Sequence, residues 1–319
     1  MREHREVARG LLALSRIAAL GLIAALFAVG ANAQPVERPK ASCNGALIGT
    51  PADIIEACTA YIAENPQRTP SLARAYTWRG RAHEHLGELD RAIEDLSQAI
   101  DIEPSTTPFT VRADAHRRKG DDERALADYE SALSIKREAP PLMGMINVYR
   151  RREQYDLALQ TIDEVMELWS REDPVFHLIR GHVHRGSGQF EKSLQDFEKA
   201  LELAPRFESF RSDRCVALAL LGKAEEGLPD CDRAIDKGPP TAANFLNRGA
   251  VYLRLNRPDE AAADFERAFD VDPDDPEALY ARGVGQRLKG DTAGGNADIA
   301  SAKALAPRVG RRLETMGIK

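Results

Sequence analysis

Residues 245–273 read FLNRGAVYLRLNRPDEAAADFERAFDVDP, and their punctuation is that of two helices joined by a tight turn. Gly249 is a compact position inside the first apolar-periodic stretch. Asn256 marks the turn, Ala261 and Ala268 lie seven apart with Phe265 between them, and Pro273 follows the second stretch. Two small residues seven apart share one helix face. They let a facing helix come as near as the usual axial separation of about 8–10 Å, which a large side chain would prevent. Proline has no backbone donor to continue a helix, so it closes the unit.

The same punctuation recurs in both directions from this stretch. Turns fall at Gly87, Gly120, Glu153, Gly188, Gly222, Asn256 and Gly290, at successive intervals of 33, 33, 35, 34, 34 and 34. Five positions past each turn stands Ala92, Ala125, Ala158, Ser193, Gly227, Ala261 or Gly295, and seven further on Ala99, Ala132, Val165, Ala200, Ala234, Ala268 or Ala302. Between these columns Leu96, Tyr129, Ile162, Phe197, Cys231, Phe265 and Ile299 supply the bulk. A compact column in the first helix runs through Gly80, Ala113, Gly181, Cys215, Gly249 and Gly283, with Ile146 the exception, and Pro104, Pro205, Pro239, Pro273 and Pro307 close second helices. A fixed period of this size means stacked supersecondary units. The third unit, residues 139–172, departs most, carrying Ile146, Glu153, Val165 and Ser170 at its key columns, and is expected to stack irregularly.

Across nearly all of residues 73–307 this pattern resembles the tetratricopeptide repeat family, whose signature W-x2-L-G-x2-Y…A-x3-F…P is matched in part by Phe245, Gly249, Tyr252, Ala261, Phe265 and Pro273. Arg stands where Leu is usual before the glycine in several units, and His83, His116 and His184 stand at the aromatic position. The resemblance implies an all-α solenoid of about seven stacked helix-turn-helix hairpins over 73–307. Residues 41–66 are expected to form a truncated N-terminal capping unit and 308–319 a C-terminal capping helix, because such arrays must cover their terminal apolar faces.

The chain has 319 residues and a formal charge of −6. Its start, 1–33, reads as an export signal: Arg2, Arg5, Arg9 and Arg16 precede the apolar run Ile17–Val29, and Ala31-Asn32-Ala33 forms the small-x-small cleavage site. Cleavage near Ala33/Gln34 is expected to leave a short linker, 34–40, and to deliver the chain to the periplasm or outside, with no stable membrane insertion of the mature chain. The mature formal charge falls from −6 to −8, since four Arg leave with Glu3 and Glu6, and this argues against a nucleic-acid partner.

Four cysteines in an exported chain suggest disulfides. The repeat register aligns Cys58 with Cys231 on second helices, and Cys43 and Cys215 precede them by nearly equal intervals, so Cys43–Cys58 and Cys215–Cys231 are the expected pairs. His177 and His184 fall in packing columns, which favours packing over metal binding. No HExxH, GxSxG or phosphate-loop pattern occurs, so no catalytic residue, cofactor or metal is expected.

The resemblance implies that first helices line a concave groove. That groove has a basic part, Arg74, Arg81, Arg117, Arg118, Asn147, Arg150, Arg151, His182 and Arg185, followed by an apolar part, Val216, Leu220, Leu246, Leu253, Tyr280 and Leu288. Such a surface suits an extended protein or peptide segment with an acidic stretch and an apolar anchor. The lysine-asparagine clamp of chaperone-tail-binding members is not reproduced. The expected function is therefore a non-catalytic interaction scaffold or chaperone-like module of the bacterial cell envelope. The alternative is a disulfide-stabilised helical-repeat protein that binds or hydrolyses cell-wall glycan, against which only two units carry cysteine pairs.

Overall fold

A computed structural model describes Cys43 and residues 49–319; the expected signal and linker, 1–33 and 34–40, lie outside the described residues. Those residues form sixteen α-helices and no strand. The opening helix α1 (Pro51–Glu64) starts at a capping box in which the Thr50 side chain accepts from the Asp53 backbone and the Asp53 side chain accepts from the Thr50 backbone. Two orphan backbone donors are satisfied there without tertiary help.

Seven hairpins follow: α2 (Pro70–His85) with α3 (Leu89–Ile102), α4 (Thr106–Arg118) with α5 (Asp122–Ile135), α6 (Ala139–Arg151) with α7 (Tyr155–Leu168), and α8 (Pro174–Gly186) with α9 (Phe190–Leu203). The last three are α10 (Glu208–Leu220) with α11 (Ala224–Lys237), α12 (Ala242–Arg254) with α13 (Pro258–Val271), and α14 (Pro276–Leu288) with α15 (Thr292–Leu305). A short helix, α16 (Val309–Thr315), closes the array. The seven turn residues read from the sequence are the places where the backbone turns left-handed, with φ between 56° at Asn256 and 92° at Gly290. Glycine enters that region at no steric cost and Asn at little. Glu153, with φ 60°, meets the same geometric demand without either advantage.

Packing explains the small columns. Leu96, Tyr129, Phe197, Cys231 and Phe265 are fully buried, and Ile162 nearly so. Each fills the space between its two small neighbours. A Cβ placed on Gly181 would stand 2.6 Å from the Phe197 ring, and one on Gly80 would stand 2.8 Å from Leu96, so neither first helix admits a side chain there. Cys43 and Cys58 are paired with their Cα atoms 4.8 Å apart, as are Cys215 and Cys231 at 5.7 Å, within the span a disulfide needs.

The third hairpin forms two ordinary helices of 13 and 14 residues around its turn. Its departure lies in packing: buried Ile146 replaces the compact residue, and α6 and α7 make fewer close backbone approaches than the helices of other hairpins. The glycine of this unit sits instead at Gly144, where a Cβ would collide with the ring of Tyr129 from the preceding hairpin.

The stack curves because neighbouring first helices touch while neighbouring second helices do not approach comparably. Close contacts join α2 to α4, α4 to α6, α10 to α12 and α12 to α14. First helices therefore form the inner wall.

Candidate functional site

Charged pairs cross nearly every hairpin. Arg79 meets Asp95, Arg112 meets Asp128, Arg180 meets Asp196, Arg214 meets Asp230, Arg248 meets Asp264 and Arg282 meets Asp298, always at i, i+16. Five of the six are two-pronged, with Nε and Nη2 on the two carboxylate oxygens; for Arg248–Asp264 the distances are 2.7 and 2.8 Å. Planar guanidinium and carboxylate groups match in this geometry. The hydrogen bond to the carboxylate raises the basicity of Arg79, Arg180, Arg248 and Arg282. Several of these arginines also reach the second helix of the preceding hairpin, as Arg112 does to Ser97 at 2.9 Å and Arg248 to Asp232 at 2.9 Å. The Arg that departs from the family's Leu is thus a structural clamp. Its signal, an Arg and an Asp at the same fixed interval in one unit after another, was present in the sequence. Only the third hairpin lacks it, with Met145 and Thr161 at the two positions.

The inner wall carries a second set of charges. Arg74, Arg81 and Asn147 are exposed. Arg117 pairs with Asp114 at 3.2 Å and Arg118 with Glu84 at 2.6 Å. Arg151 pairs with Asp122 and donates to the Arg117 carbonyl at 2.9 Å. Arg185 is buried and shares Asp213, from the next hairpin, with His182, at 3.3 and 3.2 Å respectively. Burial pushes the Asp213 carboxyl up, but His182 and then Arg185 and Arg312 more than offset this and hold it at about 2. A carboxylate of this kind is ordinarily near about 3.9 in an unfolded chain. Because the folded value is lower, the linked stability is present above the unfolded value and is lost as pH falls from about 5 through about 2. Asp213→Asn is therefore expected to flatten the stability–pH curve between about pH 5 and 2, which chemical denaturation at stepped pH measures.

The apolar positions sit differently from the open surface expected. Leu246 is fully buried, Tyr280 is 4% exposed, Val216 is buried, and Leu220 and Leu253 pack against the same core as Leu313, Met316 and Ile318 of the C-terminal segment. The Tyr280 hydroxyl donates to Glu314 of α16 at 3.4 Å. The chain's own end thus reaches Tyr280, and of the six apolar positions only Leu288 is exposed. His177 and His184 are buried against Asp196, the former at 3.2 Å through Nδ1, and burial lowers the pKa of His184. Among the described residues, no group of three or more His, Cys, Asp or Glu is placed to hold a metal, and no helix is long and apolar enough to cross a membrane.

Stacked hairpins with a charged inner wall define a helical-repeat scaffold for protein–protein interaction. Tetratricopeptide repeat profiles match residues 73–106, 109–138, 174–207 and 246–307, and the chain belongs to the tetratricopeptide repeat family. A tetratricopeptide repeat protein from Parabacteroides merdae ATCC 43184 is similar in structure, with a TM-score of 0.65, 20% identity and alignment over 74% of this chain and 92% of that one. Yeast Tom70 aligns with a TM-score of 0.58 and 15% identity over 84% of this chain and 59% of its own. In the APC/C hetero-tetramer Cut9–Hcn1 the figures are 0.58 and 14% over 74% and 46%. At such identities the likeness is one of fold. A search of curated proteins finds no match.

Proposed function

We propose that this chain is an exported, non-catalytic scaffold or chaperone-like module of the bacterial cell envelope, and that it holds an extended acidic segment of another protein against its inner wall. The observation that carries the reading is the excess of guanidinium groups on consecutive first helices. Arg74 and Arg81 face solvent with no carboxylate partner among the described residues, and the wall continues through Arg117, Arg118, Arg150 and Arg151. Each exposed ion pair to such a ligand contributes about 0–1 kcal/mol and is screened by salt. Affinity therefore accumulates over several contacts and association is the step most sensitive to charge. Export is supported by the basic and apolar start, the Ala31-Asn32-Ala33 site and the two cysteine pairs.

The test is crosslinking capture from an envelope fraction of a bacterium expressing the tagged chain, read by mass spectrometry. The expected result is a bait beginning at Gln34, with a partner whose crosslinked peptide is acidic and whose recovery falls in the Arg74→Glu/Arg81→Glu variant. A bait beginning at Met1 would overturn the export reading. Recovery of glycan fragments alone, or unchanged capture by the variant, would overturn the groove reading.

A further inference from the structure

Glu153 breaks the rule of the hairpin turns. Five of the seven place glycine where the backbone is left-handed and one places Asn256, but the third places Glu153 there, at φ 60°. An L side chain is disfavoured in that conformation because its Cβ crowds the following carbonyl oxygen. Residues held against their preference gather where a structure makes use of them. Here the use is visible: the Glu153 carboxylate accepts from Arg311 of the closing helix α16, 158 positions further along the chain. Beside it Arg308 donates to the Arg151 carbonyl at 3.2 Å.

These contacts close a loop. The segment carrying α16 is fixed to the last hairpins, since Leu313, Met316 and Ile318 are buried in their shared core and Arg312 donates through Nε to Glu277 at 2.7 Å. Hairpins three to seven are thus joined once through the stack and a second time through α16. The inner wall is least continuous in the same stretch. First helices approach closely from α2 to α4 to α6 and again from α10 to α12 to α14, but α6 and α8, and α8 and α10, do not approach comparably. The two joints beside the fourth hairpin are therefore where curvature can change with least loss of packing, and α16 spans both.

We propose that α16 is a releasable strap. Closed, it ties the turn of the third hairpin to the seventh and fixes the curvature of the array; released, it stays on the seventh while the joints beside the fourth hairpin open as a hinge. The inference concerns this chain's own conformations and does not depend on the partner reading above. Release occurs at the third hairpin because the two holds on α16 differ. The hold on the seventh is apolar and buried, whereas the hold on the third is one ion pair between side chains 62% and 48% exposed and one hydrogen bond to a carbonyl. Exposed ion pairs are weak and are screened by salt. Rising ionic strength therefore shifts the balance towards the open form. Glycine would suit the turn better than Glu153, but it could not hold Arg311.

The test uses the full chain. Arg311→Lys keeps the charge and supplies an amine, which a carbodiimide joins to a carboxylate in contact with it. Mass spectrometry is expected to find position 311 linked to Glu153 within one chain, with a yield that falls between about 0.05 M and about 1 M salt as the screening length shrinks. In small-angle X-ray scattering the parent's radius of gyration is expected to rise over the same range. Glu153→Arg is expected to show the larger radius already at low salt, and Glu153→Arg/Arg311→Glu to restore the parent's, which a purely local role of either residue would not produce. Glu153→Gly separates the strap from the turn. It is expected to open the array as Glu153→Arg does while Tm stays within about 2 °C of the parent's, since the turn gains an unstrained residue as the array loses an exposed pair. A larger fall in Tm would show that Glu153 holds the fold together, and would overturn the strap. So would the absence of the link, a link found only between two copies and growing with protein concentration, or an unchanged radius in Glu153→Arg.

Discussion

Asp264→Asn is expected to destabilise the protein by about 3–5 kcal/mol, the range for breaking a buried ion pair from one side. The Asp264 side chain is 1% exposed, and its oxygens accept from Arg248 at 2.7 and 2.8 Å and from Arg267 at 3.3 Å. Asparagine keeps the shape but removes the charge and turns one acceptor into a donor facing the guanidinium. Arg248, 12% exposed, would then retain only Asp232, whose side chain is 46% exposed, as a carboxylate partner. Replacing both members together, as Arg248→Met/Asp264→Leu, is expected to recover much of the loss, because no unpaired charge is then left inside. Denaturant midpoints of the three variants and the parent measure this. The exposed pair Arg68–Asp101, with side chains 60% and 67% exposed, provides the contrast: Arg68→Ala is expected to change stability by less than about 1 kcal/mol.

Phe197→Ala is expected to cost about 3–5 kcal/mol, the range for emptying a buried aromatic site. The ring is fully buried, lies in the space left by Gly181, and meets the His182 ring edge-on with centroids 5.4 Å apart. The Arg185 guanidinium lies over it at 6.0 Å. The cavity would open beneath the residues that hold Asp213, so the variant is also expected to lose part of the acid-dependent stability assigned to that carboxylate. Gly181→Ala is a separate route to the same contact, pressing on the ring instead of removing it. Denaturation at neutral pH and again at about pH 4, inside the window where the Asp213 contribution fades, separates packing loss from charge loss.

Much of the fold was legible because a repeat array is governed by neighbours. The near-constant interval between turns, the small pairs such as Ala261 and Ala268, and the closing prolines each act within one hairpin or between adjacent ones. The clamp was legible too, in the Arg79–Asp95 spacing and its five repetitions, but an Arg at an apolar column reads as a departure until the carboxylate opposite it is seen. The cysteine register fell within single units for the same reason. At the third hairpin the large residue Ile146 was visible, while its consequence, a modest separation of α6 and α7, depended on how Gly144 and Tyr129 share the space at the junction.

The inner wall was decided by tertiary structure. Sequence placed Arg185, Leu246 and Tyr280 on first helices, and they are there; their accessibility depends on what comes across from elsewhere in the chain. Asp213 of the next hairpin pairs with Arg185, α16 meets Tyr280, and Leu246 is buried in the core shared by the last three hairpins. The curvature that brings Arg311 to Glu153 is a sum of small rotations at each junction, and no single repeat specifies it. By itself the sequence determined the helical hairpins, their number and their order, because each depends on local spacing and nearest-neighbour packing. Only the folded superhelix determined which groove residues stay open, because that follows from contacts that bring distant repeats and the chain's end together.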